Sequence, residues 1–102
     1  MQPLRISIVG FGTVGRWLAE ALHRHHSWLE HECGVAVTVV GVANRDGFIY
    51  RNTGFDTTAL LEFVSAGRSF GDYPGVRRWD TALEGLAQTE CDVMAEIGRA
   101  HV

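Results

Sequence analysis

Three clusters of residues in this 102-residue chain are candidates for binding a ligand. The first is Gly10-Phe11-Gly12-Thr13-Val14-Gly15, a G-x-G-x-x-G array. Its chemistry would be the holding of a pyrophosphate by backbone N–H groups. Gly10 allows a sharp turn, Gly12 leaves room for phosphate beside the main chain, and Gly15 permits close packing of a helix against the strand. The second is Asn44-Arg45-Asp46-Gly47. At that place an acidic residue would accept from a ribose 2′-hydroxyl, whereas an arginine would pair with a 2′-phosphate. A third group, His23, His25, His26 and His31, has no cysteine or carboxylate pattern beside it and reads as a solvated helix end near the negative pole of the dipole.

These residues need elements to position them. Ile6, Ile8 and Val9 read as a buried strand running into the glycines. From Thr13 to Leu29, Val14, Trp17, Leu18, Ala21, Leu22 and His25 recur at helical spacing, so one long helix is expected. Val35 to Ala43 is a nearly unbroken apolar run, as in a central parallel strand covered on both faces. A strand, a glycine turn, a helix and a second strand make the context in which the glycine array means dinucleotide binding.

Asn44 to Gly47 ends the second strand in a turn, and Phe48 to Asp56 reads as an irregular aromatic segment broken by Gly54. Asp56 is a candidate N-cap for a helix over Thr57 to Ala66, with Gly67 just beyond its end. Tyr73-Pro74-Gly75 is a turn, Thr81-Ala-Leu-Glu84 has capping-box spacing for a helix to about Ala87, and Cys91 to Glu96 starts another strand. The fold class expected is α/β, a Rossmann-type doubly wound parallel sheet present only in its N-terminal part.

Residue types also select the cofactor. Asn44 carries no charge to repel a phosphate, and the guanidinium of Arg45 can pair with one. NADP is expected, with NAD possible if Asp46 faces the ribose instead. The second strand ends farther from Gly15 than the usual spacing of about 20 residues, as a longer helix and loop would require.

Composition narrows the classes. Hydrophobic residues make up 46% of the chain and charged ones 21%, which places it among globular proteins. The formal net charge of −3 offers no surface for nucleic acid and no polybasic membrane patch. The longest apolar stretch is too short to span a bilayer, and no signal peptide precedes the first strand. Cys33 and Cys91 stand apart, as reduced thiols do in a cytoplasmic protein. A cytoplasmic location is expected, with neither nucleic acid nor membrane as partner.

With Val9-Gly-Phe-Gly-Thr-Val-Gly15, Val40-Gly-Val-Ala-Asn-Arg-Asp-Gly47 and Cys91-Asp-Val-Met-Ala-Glu96 in this order, residues 4 to 96 resemble the N-terminal NAD(P)-binding domain of homoserine dehydrogenase. The Phe48 to Asp56 segment and the Pro74-Gly-Val-Arg-Arg-Trp79 stretch add to the likeness. The resemblance implies hydride transfer between NAD(P)H and aspartate semialdehyde, giving homoserine on the route to threonine and methionine. It implies a pyrophosphate held by Gly10, Phe11, Gly12, Thr13, Val14 and Gly15, and a 2′-phosphate on Arg45 beside Asn44. The family's catalytic lysine has no counterpart, because the chain contains no lysine. No catalytic residue is therefore assigned. The chain by itself is expected to be inactive, the small-molecule substrate being bound by a missing domain of a homo-oligomeric parent protein.

Two other readings share the glycine turn. One is a nucleotide-sensing regulatory module, which commonly carries an acid at the end of the second strand. The other is a different NADP-dependent reductase of the same fold. Residues 1–96 are expected to form the binding domain, cut before its end. Ile97-Gly-Arg-Ala-His-Val102 departs abruptly from the family pattern and is expected to be a non-native tail, the in-frame translation of a sequencing adapter.

Overall fold

Alternation along the first strand sets the architecture. In β1 (Gln2–Val9), Ile6 and Ile8 point into one apolar core while Ser7 and Val9 point to the other side. A strand buried on both faces needs a layer above and a layer below. The computed structural model describes residues 2–10 and 12–96 and supplies both layers. The expected tail, residues 97–102, lies outside the described residues.

The chain continues through α1 (Thr13–Arg24), α2 (His26–Cys33), β2 (Val35–Asn44), β3 (Gly47–Tyr50), α3 (Thr57–Ser65), a 3-10 turn at Phe70–Asp72, β4 (Arg77–Trp79), α4 (Ala82–Gln88) and β5 (Val93–Glu96). The five strands form one sheet in the order β4-β3-β2-β1-β5. Over one face, Ile6, Ile8, Val42 and Ile49 pack with Ala19 of α1, Leu60 of α3 and Phe70. Over the other, Val40, Ala43, Phe48 and Tyr50 meet Ala82 and Leu86 of α4. This is the expected Rossmann-like α/β layering.

Three expectations are corrected. The single helix to Leu29 is two helices, broken at His25 (φ −103°, ψ 14°). There the ring Nδ1 of His26 lies 2.7 Å from the carbonyl oxygen of His23, a side-chain contact that competes with the helix ladder. Beyond Leu22 no buried apolar stripe holds the chain to the first axis, since α2 has no buried residue. His25 and Trp17, placed on the apolar face by spacing, are exposed, Trp17 by 67%.

The second correction concerns Phe48 to Asp56, whose start is not irregular. Asn44 pairs with Gly47 across a two-residue loop, so β3 turns back antiparallel on β2, and Phe48, Ile49 and Tyr50 are all buried. Gly47 takes the positive φ (+134°) that closes the hairpin, and a Cβ there would clash with the carbonyl oxygen of Trp79. The loop residues Arg45 and Asp46 keep negative φ, so the turn is not the primed type that an Asn-Gly or Asp-Gly loop signals in a sequence. The third correction follows from the second. β4 pairs antiparallel with β3, so the sheet is mixed, with β2-β1-β5 parallel and β3-β4 antiparallel.

The shorter elements match their local signals. The Asp56 carboxylate accepts from the N–H groups of Thr58 and Ala59, and the Thr81 hydroxyl accepts from the N–H of Glu84. At the far edge, β5 exposes Val93 and Met94. No described helix is long and apolar enough to cross a membrane.

Candidate nucleotide-binding site

β1 pairs in parallel with β2 on one side and with β5 on the other. The register places Val9 beside both Ala43 and Glu96, so the three strands end together along one edge of the sheet. β2 and β5 flank β1 on opposite sides, and the helices that precede them, α1 and α4, cover opposite faces, which makes the carboxyl end of β1 the topological switch point where ligands of such sheets bind.

The glycine turn sits there. Gly10 donates its N–H to the carbonyl oxygen of Ala43 at 2.9 Å, prolonging the ladder by one residue. It then bends the chain with φ +90°, a conformation that disfavours any residue with a Cβ. Gly12 donates to the carbonyl oxygen of Gly10 at 2.7 Å and caps α1, whose N-terminus has no side-chain cap and no acid in its first turn. A Cβ on Gly12 would meet nothing within 4 Å, so space lies open beside the main chain. A Cβ on Gly15 would lie 2.7 Å from the carbonyl oxygen of Gly10, so α1 packs against the turn as closely as glycine permits. An uncapped helix N-terminus with open space beside it suits an anion. The residues present are therefore those a dinucleotide pyrophosphate needs. Thr13 and Val14 lie in the first turn of α1, whereas Phe11 lies outside the described residues.

The second group closes the β2–β3 hairpin on the same edge. Asn44 Oδ1 accepts from the N–H of Asp46 at 2.7 Å, an Asx turn that occupies the asparagine oxygen within the loop. Arg45 is exposed and makes no hydrogen bond or ion pair with any described residue. Arg78 of β4, unassigned from sequence, donates from Nη2 to the carbonyl oxygen of Asp46 at 3.2 Å. Finding it required the β3–β4 pairing, because 32 residues separate the two.

Among the described residues, cavities also lie away from this edge. One of about 380 Å³ lies between the α1–α2 junction and the start of α3 and is lined by His23, His26, Glu30 and Asp56. Another of about 760 Å³ runs beside Arg51 and Arg77. His23 Nε2 lies 3.2 Å from the Thr58 hydroxyl, and no metal-holding cluster of His, Cys, Asp or Glu occurs among the described residues.

The strand order, the glycine turn and the uncapped helix define a dinucleotide-binding domain of the dehydrogenase type. The family model that matches residues 1–96 is that of the Glutamate/Leucine/Phenylalanine/Valine dehydrogenases, and the chain belongs to that family. Among solved structures, a hyperthermophilic archaeal homoserine dehydrogenase in complex with NADPH matches with a TM-score of 0.79 and 23% identity over 97% of this chain. A mutant of such an enzyme, also with NADPH, matches with a TM-score of 0.76 and 25% identity over 95% of the chain. The homoserine dehydrogenase of Thermoplasma acidophilum matches with a TM-score of 0.68 and 18% identity over 98%. The chain spans only about 30% of the length of the first of these, 29% of the second and 28% of the third. No curated protein matches.

Proposed function

We propose that this chain is the NADP(H)-binding part of an oxidoreductase that interconverts L-homoserine and L-aspartate 4-semialdehyde. The observation that carries the cofactor choice is Arg45, unpaired among the described residues, beside the neutral Asn44 at the carboxyl end of β2. The Gly10 to Gly15 turn would hold the pyrophosphate through the N–H groups it leaves free at the N-terminus of α1, and Arg45 would pair with the 2′-phosphate. The bound nicotinamide supplies a hydride. The residues of this chain bind and orient it.

Support for the substrate comes from the solved homoserine dehydrogenases, two of them with NADPH, whose fold this chain shares. In this reading the substrate is bound outside residues 1–96, the active protein is a cytoplasmic homo-oligomer in threonine and methionine biosynthesis, and the chain alone does not turn over. A second reading has its own support. The family model favours a dehydrogenase acting on glutamate, leucine, phenylalanine or valine.

Titration of the chain with NADPH and NADH, followed by nucleotide fluorescence, tests the cofactor assignment. NADPH binds more tightly, and Arg45→Ala abolishes the preference while sparing NADH. Equal losses for both nucleotides would remove Arg45 from the phosphate site. Assay of the whole protein with NADP and L-homoserine, against the four amino acids after which the matched family is called, separates the two substrate readings.

A further inference from the structure

Arg78 occupies an unusual position. Its β4 register places it opposite Ile49, so its side chain starts on the sheet face that carries α1, the helix whose N-terminus follows the glycine turn. From there it passes Gly71, where a Cβ would come within 3.4 Å of Arg78 Nε, and reaches the Arg45-Asp46 loop at the carbonyl oxygen of Asp46. Only one ion pair engages it among the described residues: Asp80 Oδ1 lies 3.8 Å from Nη1, on a side chain that is 85% exposed. A pair that long and that wet adds little and yields readily to a better anion. The N–H of Asp46 is committed to Asn44 and is not available to an anion, so a side-chain donor reaching the loop adds to what the backbone can offer.

Resting on the NADP reading above, we propose that Arg78 is a second guanidinium of the 2′-phosphate subsite and sets NADP specificity together with Arg45. The carbonyl oxygen of Asp46 anchors one nitrogen of the fork at the loop. The other nitrogen exchanges Asp80 for a phosphate oxygen. A phosphate dianion held between two arginines gains charge-assisted hydrogen bonds from each, and a nucleotide lacking the 2′-phosphate gains neither.

The test uses the 102-residue chain with NADPH, NADH, 2′,5′-ADP and 5′-AMP as probes. Arg78→Ala weakens NADPH and 2′,5′-ADP by about tenfold or more and leaves NADH and 5′-AMP within about twofold. Arg78→Lys keeps the charge and the long stem but loses the fork, and weakens NADPH by a smaller factor, again without effect on NADH. Equal losses for phosphorylated and unphosphorylated nucleotides would show that Arg78 only shapes the hairpin, and would overturn the proposal. So would unchanged NADPH binding in Arg78→Ala alongside a lost preference in Arg45→Ala, an outcome that leaves the NADP reading standing. A wild-type chain that binds NADPH no better than NADH overturns both.

Discussion

Gly12 and Gly15 are three residues apart in one motif, yet the structure assigns them opposite sensitivities to a methyl group. At Gly12 an added Cβ meets nothing within 4 Å, and φ is −96°. Alanine is a poorer N-cap than glycine by less than about 1 kcal/mol, and the stiffer unfolded chain returns about 0.4–1 kcal/mol. Gly12→Ala should therefore leave stability within about 1 kcal/mol of the parent. At Gly15 the new Cβ would stand 2.7 Å from the carbonyl oxygen of Gly10 and 3.3 Å from its carbonyl carbon, both backbone atoms that cannot rotate away. Overpacking against backbone at this distance lies toward the upper end of the usual range, about 2–3 kcal/mol, of which the better helix propensity of alanine returns about 1. The net loss is up to about 2 kcal/mol, a fall in Tm of several degrees up to about 15 °C for a domain of this size. Thermal unfolding by circular dichroism measures the first effect, and NADPH titration the second. Gly12→Ala should unfold like the parent but bind NADPH at least about tenfold more weakly, because its methyl fills the space left for phosphate. Undiminished NADPH binding by Gly12→Ala would refute the placement of the pyrophosphate. A Gly15→Ala chain as stable as the parent would refute the tight contact between α1 and the turn.

Three further substitutions test the packing beneath the site. Ser7 is fully buried with no hydrogen-bond partner for its hydroxyl among the described residues, so Ser7→Ala should be neutral or stabilising by up to about 1 kcal/mol in urea unfolding. Asp56→Ala removes the acceptor for two N–H groups at the start of α3 and should cost about 1 kcal/mol by the same measurement, with Asp56→Asn recovering most of it. In Gly85→Ala the new Cβ would clash with the Phe48 ring, so thermal unfolding should show a loss of about 1–3 kcal/mol with NADPH affinity unaffected in the folded fraction.

What was legible in the sequence was local. Gly10, Gly12 and Gly15 gave themselves away because a turn off a strand, an open approach and a close helix contact each demand the absence of a Cβ, at fixed offsets. Asp56 and Thr81 were readable as caps because a short side chain reaches N–H groups two or three residues ahead. Where reading by pattern failed, the competing signal was also local but weaker than packing. Helical spacing continued past Arg24, yet with no core to receive His25 and with His26 contacting the carbonyl oxygen of His23, the helix broke.

Residue types alone established that a glycine turn follows β1 and that an arginine beside a neutral asparagine ends β2. Both depend on residue type and on distances of a few positions along the chain. The tertiary structure decided the rest. Only strand pairing brings Arg78 onto a loop 32 residues earlier in the chain, and only the register of β1 with β2 and β5 aligns Gly10, Asn44 and Glu96 along one edge. Burial decided that Phe48 to Tyr50 form a strand, because three consecutive large side chains find cores on both faces of the sheet. Contacts of long sequence separation arise from closing loops and filling cores, and neither leaves a period or a motif to read in advance.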